Sequence, residues 1–428
     1  MTLRFLHAAD LHLDSPVTGV GSTPPEVRTA LRDASLAAWD RLVQAAIDGG
    51  VGAVVVAGGV APEGAMSPRA RVALASGLAR LSAAGIVTVL LDDDPSGVED
   101  RRTTREAELV SIPGVHLVGG SAGEVLTIEP RGHDPFTVHA VASDGGDLTD
   151  RIRAIHRTGV AGLHIGLVDM PVATGPERQA TGEVLSADDL RPAGLDYWAV
   201  GGDHHGRVVA EAPWVVITGT TQGRGFEASE SGPKGAVLVT AEGSEVRAVR
   251  AVPLDVVRFA SVVVDITSLD RAGDIGQALV AAAEGIAVEA SQLAVVRGIL
   301  TGSGPVRDEV RRPGAMAEIL STLTEIGVGQ DHLVWWDRLV DRTAPEFDFE
   351  AIRGRGDLSA EVLRLGQELR EDPDTMAAWV RSLGDAAGPG HGDPVPAAGP
   401  GDAHATWAGL LAEAEVTAIG ELDRDDEA

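Results

Sequence analysis

The chain contains no cysteine. That excludes a disulfide framework, a thiolate zinc site and a cysteine nucleophile. Lysine is nearly missing as well. Lys234 is the single one among 428 residues, so any basic patch must be built from arginine. Positive charge is in deficit overall, with 35 Lys and Arg against 64 Asp and Glu and a formal net charge of −29. A duplex-binding face gains affinity by releasing phosphate counterions and needs basic surface. Tight, unaided nucleic-acid binding is therefore disfavoured, while a local arginine patch or a basic partner remains compatible with the composition. No apolar run is long enough to span a bilayer, and the first residues lack the basic flank and cleavage site of a secretory leader. The expected compartment is the cytoplasm. What is present is 44% hydrophobic residues on a chain long enough for two or three domains with a sizeable core.

The stretch that organises the chain is its first strand and the turn after it, LRFLHAADLHLDSP at residues 3–16. Leu3, Phe5 and Leu6 read as a buried strand. Asp10 and His12 follow two residues apart, and in an extended turn both side chains would point the same way. A carboxylate and an imidazole converging at a sheet edge are natural ligands for a divalent transition metal. A capping aspartate beside a surface histidine is the plainer alternative for an isolated D-x-H, and the companions further along the chain favour the metal.

Residues 1–220 alternate strand and helix signals. A helix over 25–48 is bounded by Pro24-Pro25 and Gly49-Gly50. The run 51–57 is a buried parallel strand ending in Gly58-Gly59. A helix over 68–84 leads to a strand over 86–91 and the turn 92–97. Shorter strands are expected over 115–118, 125–128 and 136–142, a helix over 148–157, a strand over 160–165 carrying His164 at its end, and a strand over 197–201 running into Gly202-Asp203-His204-His205. This is the signature of a layered α/β fold with functional loops at strand ends. Gln222-Gly223-Arg224-Gly225 does not lead a strand into a helix, so it is not read as a phosphate-cradling loop.

The expected organisation is an α/β domain over residues 1–254 and a small α+β capping domain over 255–345. A helical segment over 346–384, a Pro/Gly/Ala-rich flexible linker over 385–404 and a C-terminal helix over 405–428 complete it. That last helix carries an apolar stripe, Trp407, Leu410, Leu411, Ala414 and Ile419, that must pack back on the body or dock on a partner.

Taken together, LRFLHAADLHLDSP, YWAVGGDHHGRVV, ITGTTQGRGFEASESGPKGAVLVTAEG and VPLDVVRF resemble the calcineurin-like metallophosphoesterases. The closer resemblance is to the bacterial SbcD/YhaO branch of DNA repair nucleases. The resemblance implies a layered α/β/β/α sandwich with a small α+β capping domain and C-terminal helices. It makes Asp10 and His12 ligands of a first metal, His204 a further ligand, and His164 the strand-end histidine of the family. It also marks departures. Gly59 stands where the family has a bridging aspartate, Gly202 where it has a ligand histidine, and, in the run Asp92-Asp93-Asp94, Asp93 replaces an asparagine ligand and Asp94 the catalytic histidine.

Two-metal hydrolysis holds divalent ions ~3.5–4 Å apart, and glycine offers no carboxylate to bridge them. The expectation is thus a degenerate site on Asp10, His12 and His204, with Asp203 or His205 as auxiliary groups and His164 and Asp93 as a weaker half-site. It would hold one divalent ion such as Mn²⁺ rather than a dinuclear centre. The implied role is that of an impaired DNA repair nuclease homologue. The implied partners are an SMC-like coiled-coil ATPase docked through the C-terminal helices, DNA reached through that ATPase, and a second copy of the chain. The alternative is an active Mn²⁺-dependent exonuclease or phosphoesterase using a rearranged site.

Overall fold

β1 (Thr2–Ala9) is buried along nearly its whole length because both of its faces are covered. Leu3, Phe5 and Ala9 look toward a second sheet, and Leu6 and Ala8 toward helices. The computed structural model describes residues 2–60, 66–91, 109, 111–119, 123–141, 148–170, 172–173, 185–289, 293–327, 333–345, 347–372, 375–376, 378–379 and 403–426.

The chain continues through α1 (Pro25–Asp48), β2 (Ala53–Ala57), α2 (Pro68–Ala83), β3 (Val87–Leu91), β4 (Val115–Val118), β5 (Glu124–Ile128), β6 (Phe136–Val141), α3 (Leu148–Arg153) and β7 (Leu163–Asp169). A two-stranded pair, β8 (Val172–Ala173) and β9 (Leu185–Ser186), comes next. Then follow β10 (Tyr197–Gly201), β11 (Arg207–Glu211), β12 (Trp214–Ile217), β13 (Gly235–Glu242) and β14 (Glu245–Pro253).

Two six-stranded sheets result, ordered β14-β13-β1-β2-β3-β4 and β11-β12-β10-β7-β6-β5. β1 pairs parallel with β2, and β10 parallel with β7 and β12, so the strands that carry the site deliver their ends to one rim. Between the sheets lies one core in which Phe5 stacks on Phe136 and meets Tyr197 edge-on. α1 and α2 cover the outer face of the first sheet, where the Trp39 indole rests on Gly77 and donates to the Ala73 carbonyl. α3 and residues 187–195 cover the second sheet. The expected α/β/β/α sandwich is what the chain forms.

One strand differs from expectation. β7 runs over Leu163–Asp169 rather than 160–165. Gly166, just past the expected strand, lies inside the observed one, where a Cβ would sit 2.2 Å from the Trp198 ring of β10. The glycine makes room for the indole.

The chain divides into two compact units. The first comprises Met1–Val262, Ala283–Arg297 and Leu323–Arg338, and the second Val263–Ala282, Gly298–Thr322 and Leu339–Ala428. Strands β15 (Val257–Asp265), β16 (Leu293–Thr301) and β17 (Leu333–Asp341) form a three-stranded sheet in that order, with helices Ala272–Glu289 and Ala315–Gly327 between them in sequence. In the second unit the C-terminal helix, Ala403–Asp426, packs on helix Leu358–Glu371. Ile419 joins Ile352 and Leu363, and Leu411 joins Leu369 and Met376 with Trp407 packed against them, while Leu410 and Ala414 of the stripe read from the sequence are exposed. Residues 385–402 of the expected linker lie outside the described residues, and 403–404 already belong to the helix.

Candidate metal centre

The turn after β1 is tied to the turn after β2, because His12 N donates to Gly59 O at 2.8 Å and Leu13 N to Val60 O at 3.2 Å. The turn is not extended, as D-x-H spacing alone suggested. Asp10 and His12 both have left-handed backbone, φ 47° and 41°, as does Asp14 at 63°. Three such residues in five positions store local strain of the kind concentrated at functional sites. The left-handed turn, rather than strand alternation, brings the two side chains together.

β10 contributes the third group. The loop that follows it turns at Gly202 (φ 79°), whose amide donates to both Asp10 carboxylate oxygens at 3.3 and 3.1 Å. Two residues on, His204 Nε2 lies 3.0 Å from His12 Nε2. Among the described residues, Asp10, His12 and His204 form a group whose ligand atoms all lie within 4.8 Å of one another. One carboxylate oxygen and two imidazole nitrogens suit a transition ion better than Mg²⁺ or Ca²⁺. Ligand bonds of ~2.0–2.2 Å reach donors up to about 4.4 Å apart, so small side-chain rotations bring this set onto a single divalent ion.

The loop over residues 219–234 backs His204. His204 Nδ1 donates to Glu230 Oε1 at 2.8 Å, and Arg224 Nη2 reaches the same oxygen at 2.7 Å. The Arg224 backbone amide donates to Glu230 Oε2 at 2.9 Å. Burial opposes a charged Glu230, but the bonds from His204 and Arg224 prevail and hold its carboxyl at about 2. The Glu230 hydrogen bond in turn raises His204 above its ordinary value. Burial, reinforced by the Arg224 and His204 charges, pushes His12 down to about 3. At neutral pH His12 is therefore a neutral imidazole, and its Nε2 faces that of His204 where an ion would take both lone pairs.

Gly59 lies hard against Asp10. A Cβ there would meet Asp10 Oδ1 at 2.5 Å and Asp10 Cα at 2.7 Å, and its φ is +52°. This backbone therefore has no room for a bridging aspartate side chain.

The other residues singled out by sequence fall elsewhere. Asp203 is committed to Arg207 Nη1 at 2.6 Å and His205 N at 2.9 Å, and His205 is exposed. Asp92, Asp93 and Asp94 lie outside the described residues. His164 is a correction. It is the second residue of β7, not its last, which puts it about 16 Å along the strand from the rim. It is fully buried, with Nδ1 2.9 Å from His139 Nε2 and Nε2 donating to Val160 O at 2.9 Å. It cannot serve as a strand-end ligand. The residue that does end β7 at the rim is Asp169, whose carboxylate lies over Gly58, Gly201 and Gly202, 2.3–3.1 Å from where their Cβ atoms would be.

Sequence reasoning missed Asp169, Arg224 and Glu230. The signal for Asp169 was a charged residue closing an apolar run. That for the other two was an Arg and a Glu set in a glycine- and serine-rich loop next to the histidine stretch.

Residues 259–344 match the family model of the middle domain of the metallophosphoesterase YhaO. The chain is 27% identical over 346 residues to the uncharacterized metallophosphoesterase YhaO of Bacillus subtilis (strain 168), covering 80% of this chain and 83% of that protein. Among solved structures, the crystal structure of TT1561 of Thermus thermophilus is 17% identical. It covers 58% of this chain and 100% of that one, with a TM-score of 0.33.

Proposed function

We propose that this metallophosphoesterase-like homologue of YhaO holds a single divalent transition ion, Mn²⁺ or one similar, and has lost the two-metal hydrolytic centre of the SbcD-type DNA repair nucleases it resembles. The ligands are Asp10, His12 and His204. The observation that carries this reading is the pairing of those three donors with Gly59, where a Cβ would already collide with Asp10 and leaves a bridging carboxylate no room. Without a bridge, the repulsion of two closely spaced dications has nothing to offset it. A single ion still supplies Lewis acidity toward a phosphate oxygen.

Elemental analysis of the purified chain should give about one equivalent of metal, and a nuclease assay with added Mn²⁺ no cleavage above background. Two tightly bound equivalents would overturn the reading. In this role the protein works in the cytoplasm in DNA repair or processing, as a scaffold or gate on an SMC-like coiled-coil ATPase. DNA is reached through that partner, in keeping with a net charge of −29. Undiminished ATPase binding after deletion of residues 385–428 would refute docking through the C-terminal helices.

A second reading is favoured by Asp169. Its carboxylate stands at the rim over Gly58, Gly201 and Gly202 and could supply charge that Gly59 does not. The protein would then be an active Mn²⁺-dependent phosphoesterase with a rearranged site. That version requires DNA cleavage that disappears in Asp10→Ala, His204→Ala and Asp169→Asn alike.

A further inference from the structure

Glu230 is 6% exposed, and both of its carboxylate oxygens are used: Oε1 by the His204 ring and the Arg224 guanidinium, Oε2 by the Arg224 amide. Burying a carboxylate costs several kcal/mol unless every lone pair is met. A loop needing only shape at this place would be served by an apolar side chain. The loop is built around the acid instead. Gly223 passes so close to the Glu230 carbonyl that a Cβ would lie 2.1 Å from it, and the Arg224 carbonyl is anchored by Thr18 N at 2.8 Å. Lys234 Nζ donates to the His204 carbonyl at 3.2 Å, so the histidine is gripped at its ring and at its backbone. His12 is different, since its Nδ1 is buried and makes no hydrogen bond among the described residues. Of the two histidines, only the His204 ring is held from behind by a side chain among the described residues.

We infer that Glu230, pinned by Arg224, is a positioning residue that fixes the tautomer and ring plane of His204 so that Nε2 faces the ion. This rests on the single-ion reading above. A carboxylate behind a ligating imidazole raises ligand basicity, and removing such a partner weakens metal binding by about 10- to 100-fold.

The test uses the full chain and its Glu230→Gln, Glu230→Ala and His204→Ala variants. Mn²⁺ affinity is read by calorimetry, and ligand geometry by the visible absorption of bound Co²⁺. Glu230→Gln, nearly isosteric, should bind Mn²⁺ about tenfold more weakly and Glu230→Ala about a hundredfold, each with an altered Co²⁺ spectrum. A merely structural role would lower the melting temperature and leave the spectrum alone. Affinities within about twofold of the parent, with its Co²⁺ spectrum retained while His204→Ala abolishes binding, would overturn the inference and spare the metal site. A parent chain that binds neither ion would overturn the single-ion reading and the inference with it. If Glu230→Ala fails to fold, the Gln variant decides.

Discussion

Two buried glutamates, each held by one arginine, do different work in the two units. Glu230 receives its hydrogen bonds on both oxygens, and one of the donors is a candidate metal ligand. Glu415 lies between helices Leu358–Glu371 and Ala403–Asp426. There Arg370 Nη1 bonds one oxygen at 2.9 Å, while the other, Oε1, is buried and makes no hydrogen bond among the described residues. Gly366 faces it, and a Cβ there would sit 1.5 Å from Oε1. A fully satisfied buried acid can hold a functional ring in place. A half-satisfied one costs free energy, and what it offers in return is a unique seat, since only a glycine opposite admits that register. The same ion-pair chemistry thus serves a site in one place and a helix register in the other.

Acid should act hardest on the first unit. Burial pushes His7 and His12 down to about 3 and His139, with help from His164 and Arg157, to about 4. An unfolded chain protonates these rings near 6.5, so their contribution to stability is complete above 6.5 and is lost as pH falls. Between about 6 and 4 the unfolded state binds up to three more protons, a slope of up to about 4 kcal/mol per pH unit. Urea denaturation against pH measures it, and His7→Gln should remove about a third. Glu230 adds stability that is present above the ordinary carboxylate range and lost as pH drops toward about 2. His204 has the opposite sign, its contribution being complete below 6.5 and lost as pH rises through its elevated value.

Gly366→Ala should come next, destabilising the helix pair by about 1–3 kcal/mol in thermal denaturation. The double variant with Glu415→Ala should recover most of that loss, because the overlap is between those two residues. Gly59→Asp tests the other side. Restoring the carboxylate expected of the family should displace Asp10 and weaken Mn²⁺ binding by about tenfold rather than create a second metal position. A second bound equivalent in that variant would show that the turn yields. The smallest effect belongs to Glu415→Gln, under about 1 kcal/mol, since the partly exposed Arg370 turns to water. An equal loss of stability in Glu230→Gln and Glu415→Gln, with no change in metal binding, would erase the contrast between the two acids.

The layered fold was legible because strands buried on both faces are written as largely apolar runs, unbroken in β2, which glycines close, and interrupted only by Arg4 and His7 after Thr2 in β1. Three donors of the site could be read from D-x-H and from the histidine after β10. His164 was misplaced for a packing reason that no local pattern contains, since Gly166 yields space to an indole on the neighbouring strand. The convergence of Asp10 and His12 was anticipated, but its cause, a left-handed turn strapped to Gly59 and Val60, depends on a second loop. Glu230 and Arg224 stayed hidden because their meaning arises only when residues 219–234 fold back on His204.

Lys234 is 6% exposed, its Nζ lies against the His204 carbonyl, and burial lowers its pKa. Reagents that acylate or alkylate amines therefore meet a single side-chain target on this protein, apart from the main-chain amino terminus, and that target is shielded beneath the histidine loop. The rate of its modification becomes a one-residue clock for how often that loop lifts, readable by intact-mass spectrometry without any engineered label.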